Sequence, residues 1–473
     1  MIKKLALFAT LSFFSVNSHA YENVPLNSPD LKEIIAISKN DTSIKTLPIE
    51  ESKAAATDWL IMVYMNGKSN IEPFALNDMN RFESIGSNDK VKIVVELGRS
   101  KGIENDTTAD GDWSGVRRYL VVKDNNMKKI TSPVLMDLGD KDMGDWRQAA
   151  GFIKWARANY LAKKTMLIIW DHGWGWLDPE TGSASHVDSE DNPSAIAGNK
   201  SISHDFTTGN YIRTNEMHKV FEETGKVDLY ASMACFMQMA EVSYQIKDYA
   251  DIIVGAEEVI QLPSFNFEDF YTLMLANPNV SAEKAGIFLV DTFKEMYSRP
   301  EYADMLEETK YGTQLSAIRG SMMEGFGKKL SVWARLAMKA DDRKAMSTAK
   351  KDVLRFEVGD NITDPKKEIS FYGDIYDFVE IVNKNLNKTI KGFENLKTAG
   401  IELQNFIDNN LVVKNVFLGK DRTGKDYSKT HGIDIHIPGK PGTLIEYEDT
   451  YVKLEFSKAT NWEKFINYLK TIN

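Results

Sequence analysis

The sequence has one thiol, Cys235, among 473 residues. A lone cysteine cannot close an internal disulfide, so no covalent staple holds this chain. Positive charge is in short supply too: the formal net charge is -10. An acidic balance disfavours nucleic acid and anionic membrane as partners, since both reward Lys/Arg clusters. The pairs Lys128-Lys129 and Lys366-Lys367 read as solvated faces. Past the N-terminal segment no apolar run is long enough to cross a bilayer. Metal and serine-hydrolase motifs are missing: there is no His-Glu-x-x-His, no paired-cysteine spacing and no Gly-x-Ser-x-Gly. His172, His186, Asp188 and His204 lie in one region without metal-ligand spacing, so no catalytic metal is expected. Internal repeats and low-complexity tracts are absent as well.

What is present starts with a basic opening, Met1-Ile2-Lys3-Lys4, an apolar stretch from Leu5 to Val16, and Ser18-His19-Ala20. That order is expected of a secretory signal peptide over 1–20, cut after Ala20. An exported protein, periplasmic or extracellular, follows. Residues 21–57 are polar and read as a pro-segment or linker. Buried strands are then predicted at Trp59–Met65, Val91–Leu97, Thr165–Trp170, Asp228–Ala234 and Asp251–Ala256, each nearly all apolar. Val116–Val122 and Ile130–Leu135 read as shorter strands. Helical patterns span Ile71–Ile85, Trp146–Tyr160, Thr214–Thr224 and Phe236–Tyr249. This alternation predicts an α/β fold with a mostly parallel sheet covered on both faces. The polar stretch Leu177–Asn210 reads as a long functional loop. In the second half the pattern is less regular, with helices at Ala282–Tyr297, Ser321–Lys339, Ile375–Leu386 and Phe393–Asn409 and strands at Thr313–Ile318 and Gly432–Ile437.

Two features fall at the carboxyl ends of buried strands, Ala234-Cys235 and His172-Gly173. Open α/β sheets build their sites there. A thiol at a helix start ionises more easily, and an imidazole can serve it as base and acid. Amides near Gly173 and Cys235 would hold an oxyanion. The bland alternatives stay open: an inert buried thiol, a hydrogen-bonded structural histidine, and Trp174 and Trp176 as core packing. Asp171 receives no triad role, because it would point to the opposite face of the strand.

Trp59-Leu-Ile-Met-Val-Tyr-Met-Asn66 with Asn70-Ile71-Glu72, Ile168-Ile-Trp-Asp-His-Gly-Trp-Gly-Trp176, Ala234-Cys235-Phe-Met-Gln-Met-Ala-Glu241 and Val254-Gly-Ala-Glu-Glu258 resemble successive blocks of the clostripain family. Later segments, Ser316–Ile318, Asp374–Phe378 and Gly432–Pro438, are similar to further family elements. The resemblance runs from about Asp58 nearly to the C-terminus. It implies a caspase-like α/β/α sandwich with a C-terminal α+β elaboration, a catalytic core over 58–310 and the remainder of the fold over 311–473. It also implies a cysteine endopeptidase acting on polypeptides, with Cys235 as nucleophile, His172 as general acid/base, and the Gly173 and Cys235 amides as the oxyanion hole. Relatives are often zymogens cut after the catalytic histidine, so a cut is expected within 177–210, with Lys200 a candidate. No cofactor is expected; calcium serves some relatives, and Asp188–Asp191 is read as an exposed acidic loop. A monomer without stable membrane insertion is expected.

One position departs from the family pattern. Met233 stands where an acid usually receives a substrate Arg or Lys. Glu257 or Glu258 could replace that acid, although an exposed turn is the favoured assignment for both. Met233 and Trp174 would otherwise line a pocket for an uncharged side chain. A non-catalytic relative that keeps the fold for binding is the competing class.

Overall fold

β1 (Thr57–Gly67) is buried along all of its 11 residues. Because successive side chains leave a strand on opposite faces, one apolar run supplies two cores. Leu60, Met62 and Tyr64 enter one cluster; Trp59, Ile61, Val63 and Met65 enter the other. The computed structural model describes residues 56–176, 201–309, 311–356, 372–421, 424–438 and 448–472. The expected signal peptide, nearly all of the linker, Leu177–Lys200 with its candidate cut site, and Lys366-Lys367 therefore lie outside the described residues.

The remaining strands are β2 (Val91–Arg99), β3 (Gly115–Leu120), β4 (Val134–Asp137), β5 (Ala162–Trp170), β6 (Ile202–Asp205), β7 (Asn210–Ile212), β8 (Val227–Met233), β9 (Ala250–Gly255), β10 (Thr313–Arg319), β11 (Tyr372–Asp374), β12 (Val412–Leu418) and β13 (Asp434–His436). Nine of them form one sheet in the order β12-β10-β9-β8-β5-β1-β2-β3-β4. The five central strands, β2, β1, β5, β8 and β9, run parallel. Antiparallel pairs close both ends. Chain order reverses between β1 and β5: β1 leads to β2 on one side, and the later strands grow on the other. That switch leaves a crevice at the carboxyl edge.

Helices cover both faces, giving the α/β/α sandwich that the apolar strands predicted. Helices Trp146–Asn159, Met217–Thr224 and Met323–Ala340 feed the first cluster. Helices Glu72–Ile85, Phe267–Ala276 and Ala282–Tyr297 feed the second. Helix Glu72–Ile85 ends at Gly86, whose φ of 73° suits glycine. Strand order was less legible at the margins. The predicted strand Ile130–Leu135 lies later, at β4, where all four residues are exposed at the sheet edge. Without burial, alternation no longer fixes the register.

The C-terminal part does two things. β10 and β12 complete the main sheet, and the antiparallel pair β11–β13 lies against the segment after β8 through a bridge from Met239 to Asp434. Buried acids crowd that junction. Glu241 Oε1 accepts the His436 amide at 3.0 Å and the Tyr451 hydroxyl at 2.8 Å. Burial pushes the Glu241 carboxyl up to about 7 and Asp374 up to about 6. The folded chain thus holds a proton at Glu241 that the unfolded chain releases at lower pH. Its contribution to stability is present in acid and is lost as pH rises through about 7. Glu241→Gln keeps an acceptor and removes the titration. Its melting temperature should fall less than that of wild type between about pH 5 and about pH 8, read by calorimetry. Equal falls in the two proteins would refute this account.

Candidate active site

The carboxyl ends of β1, β5 and β8 stand side by side, since Met65 pairs with Trp170 and Trp170 with Met233. His172 follows β5 by two residues and Cys235 follows β8 by two, so equal overshoot keeps them level. The chain after β5 is pinned at once. The Asp171 amide donates to the Met233 carbonyl at 3.3 Å, and the Asp171 carboxyl turns inward. It accepts Asn66 Nδ2 at 3.1 Å, Ser69 Oγ at 2.9 Å and the His204 amide. Its pKa stands well above the usual carboxylate range, chiefly because it is buried, with Asp205 nearby adding to the effect. Asp171 therefore serves the frame rather than the imidazole, as its position on the strand foretold.

Gly173 sits against the cysteine. A Cβ at Gly173 would lie 2.6 Å from the Cys235 carbonyl oxygen and 2.8 Å from Ala234 Cβ. Only glycine lets the two segments approach this closely. On its other side Gly173 bridges Ile202. The bonds of that bridge run from the Trp174 amide to Ser201 and from the Ser203 amide to the His172 carbonyl. The Gly173 N–H consequently faces away from β6.

The helix predicted to begin at Phe236 begins at Ala240 and ends at Gln245. Phe236 has a φ of 59°, which no helix accommodates. The Phe236 and Gln238 amides donate to the Glu258 and Ala256 carbonyls, at 3.3 and 3.0 Å. Cys235 thus lies in a turn clamped to the end of β9, not at a helix N-terminus, and no helix dipole acts on its thiol. The strained conformation right after it is of the kind that collects at functional sites. Cys235 is partly buried.

The His172 ring is half-buried. Its Nε2 lies 2.7 Å from Asn70 Oδ1. The exposed Phe206 ring lies nearly parallel to it at 6.1 Å, and the His204 ring stands 6.0 Å away. Loss of water pushes the His172 pKa down to about 4. The imidazole is therefore neutral around neutral pH and can accept a proton. Residues 201–210 of the expected loop are in fact ordered: β6 and the turn to β7 carry Ser203, His204 and Phe206 into the site. Asn70 belongs to the first of the family-like blocks, yet the sequence alone assigns it no site role. Its signal was the polar run Asn66–Asn70 directly past an apolar strand.

The pocket candidates divide. Trp174 packs on Phe236 with ring centroids 5.8 Å apart, and its carbonyl accepts the Tyr372 hydroxyl at 2.7 Å. Met233 is buried in the core cluster beside Trp170. Glu257 and Glu258 are not an exposed turn: they are 0% and 1% exposed. Tight packing between β9 and the C-terminal segments encloses them. Glu257 Oε1 accepts the Gly432 amide at 2.9 Å, and Glu258 Oε2 accepts the Tyr427 hydroxyl at 2.6 Å. Burial raises Glu257 well above its ordinary range, and Asp374 and Asp434 raise it further. Of the histidines and acids weighed for a metal, His186 and Asp188–Asp191 lie outside the described residues.

The fold is the α/β/α sandwich of caspase-like C11 proteases. Residues 63–469 match the clostripain family, and the chain belongs to that family. It is 25% identical over 298 residues to clostripain of Hathewaya histolytica, covering 60% of this chain and 53% of that protein. The chain thus spans about half the length of this curated relative. Among solved structures it resembles a secreted C11 cysteine protease from Bacteroides thetaiotaomicron in complex with an irreversible peptide inhibitor. There the TM-score is 0.58 and the identity 15%, over 86% of this chain and 99% of that one. An inactive zymogen C11 protease from Parabacteroides distasonis gives a TM-score of 0.59 at 14% identity, over 86% of this chain and 98% of that one. At such identities the likeness establishes the fold.

Gly173→Ala tests the packing directly. Its methyl would press on a backbone oxygen that cannot swing away, at a cost of about 1–3 kcal/mol. The variant should melt lower than wild type and react more slowly at Cys235 with a thiol probe. Unchanged melting and labelling would show that the contact is not tight.

Proposed function

We propose that this chain hydrolyses peptide bonds with Cys235 as nucleophile and His172 as general acid and base. The observation that carries this reading is the close seating of Gly173 on the Cys235 carbonyl, which brings an imidazole-bearing segment against the thiol-bearing turn. His172 would take the thiol proton as sulfur attacks the substrate carbonyl. The Gly173 and Cys235 amides would stabilise the oxyanion. His172 would then protonate the departing amine, and water activated by the same ring would release the acyl group from sulfur. Membership of the clostripain family supports the assignment.

Three finer points belong to the same proposal. The first 20 residues direct export. The chain matures by a cut of its own within 177–210. The residue before the scissile bond is uncharged. Support for the last comes from Met233 and from the acids around it. Glu257 and Glu258 are buried and bonded to Gly432 and Tyr427. Asp78, which accepts Trp170 Nε1 at 2.7 Å, is also paired with Arg81. A substrate cation would find Asp78 and Glu258 committed to Arg81 and Tyr427, and Glu257, although its Oε2 has no partner, fully buried with its pKa raised well above the ordinary range; an unpaired buried charge is costly.

Cys235→Ala should lose all turnover and remain uncut, while wild type is cut within 177–210; a variant that still turns over would overturn the proposal. The acid limb of the wild-type pH–rate profile should fall near the low His172 pKa of about 4. The ring is protonated, and activity lost, as pH drops through that value. A limb at the ordinary imidazole position of about 6.5 would contradict it. Peptide-library profiling should show no preference for Arg or Lys before the cut; strong cleavage after either would mean that an acid does reach the pocket.

A further inference from the structure

The turn between β1 and helix Glu72–Ile85 is fixed from several sides. Asn66 and Ser69 are bonded to the Asp171 carboxyl. The Lys68 amide donates to Asn66 Oδ1 at 3.0 Å, and Asn105 Nδ2 donates to the Asn70 carbonyl at 3.1 Å. Asn70 is the residue this bracing delivers, and its side-chain oxygen meets His172 Nε2 at 2.7 Å. The mechanism above names His172 but does not say which ring nitrogen works, or what sets it.

We infer that Asn70 is a positioning residue: its amide oxygen holds the proton of His172 on Nε2 and leaves Nδ1 as the lone pair that takes the Cys235 proton. An amide oxygen can only accept, so the Nε2 it meets must donate. A neutral imidazole carries one proton, so Nδ1 is then bare. The Phe206 ring, 11° from parallel, limits rotation of the imidazole about this bond. The choice of an amide matters as well. A carboxylate at this position would favour the imidazolium form, whereas a neutral acceptor fixes the tautomer without favouring charge. The inference rests on the peptidase reading for the meaning of Nδ1, but the tautomer itself can be read without turnover.

The test uses the full chain labelled with 15N-histidine and carrying Cys235→Ala, with Asn70 either intact or replaced by Ala. Long-range 1H–15N spectra near neutral pH should show His172 protonated at Nε2 and bare at Nδ1. With Asn70→Ala the two tautomers should both be populated. In the chain that keeps Cys235, Asn70→Ala should lower kcat on the order of 100-fold, with KM and Tm little changed. Asn70→Asp should recover part of kcat and move the acid limb to higher pH. A proton on Nδ1 in the protein that keeps Asn70 would overturn the inference, as would an unchanged kcat in Asn70→Ala. If the tautomer is as stated but wild type cleaves no peptide, the peptidase reading fails and the positioning role of Asn70 stands.

Discussion

The Asp171 carboxyl group sits where three chain segments meet, 2% exposed, with its acceptor sites taken by Asn66, Ser69 and the His204 amide. One group thereby joins the end of β1, the end of β5 and β6. Parallel strands have no hairpins to hold their ends together, so something else must fix where each chain leaves the sheet. Here a buried polar cluster does so. The cost of burying a carboxyl is offset only while its partners stay in place. Moving any one of the three segments would strand a polar group without water. The imidazole and the thiol turn are both placed from this cluster, the first through Asn70 and the residue after Asp171, the second through the bond from the Asp171 amide to Met233.

The central strands and the histidine and cysteine at their ends were legible because burial on two faces writes a continuous apolar run. The edge strands were not. β4 is exposed, and β12 (VVKNVFL) is only partly covered, so neither carries a distinctive pattern. The helix after Cys235 was expected too early for a different reason. Phe236–Gln238 contains good helix formers and an apolar rhythm, yet its amides are taken by carbonyls of the chain after β9. Local preference loses to a tertiary clamp that no short window of sequence contains. The pair Glu257-Glu258 misled in the same way. Adjacent acids past a strand look solvated, and only the later arrival of Tyr427 and Gly432 buries them.

Those acids also show how strand-end carboxyls can be drawn into the frame of the molecule. Met233 fills a strand-end position with a flexible apolar side chain, which packs in the core beside Trp170. The neighbouring carboxyls turn toward the C-terminal segments and become part of their anchorage.

That anchorage ties the site to the order in which the chain is made. Tyr372 bonds Trp174 beside the thiol turn, Asp434 bridges Met239, and Trp462 Nε1 donates to the His436 carbonyl on β13 behind them at 2.8 Å. Residues about two hundred positions downstream therefore finish the surroundings of Cys235. A nascent chain carrying the histidine and the cysteine, but not yet the segments around Asp434 and Trp462, has both groups and lacks the wall that holds them. The arrival of these later segments, rather than the appearance of the two reactive side chains, completes this crevice.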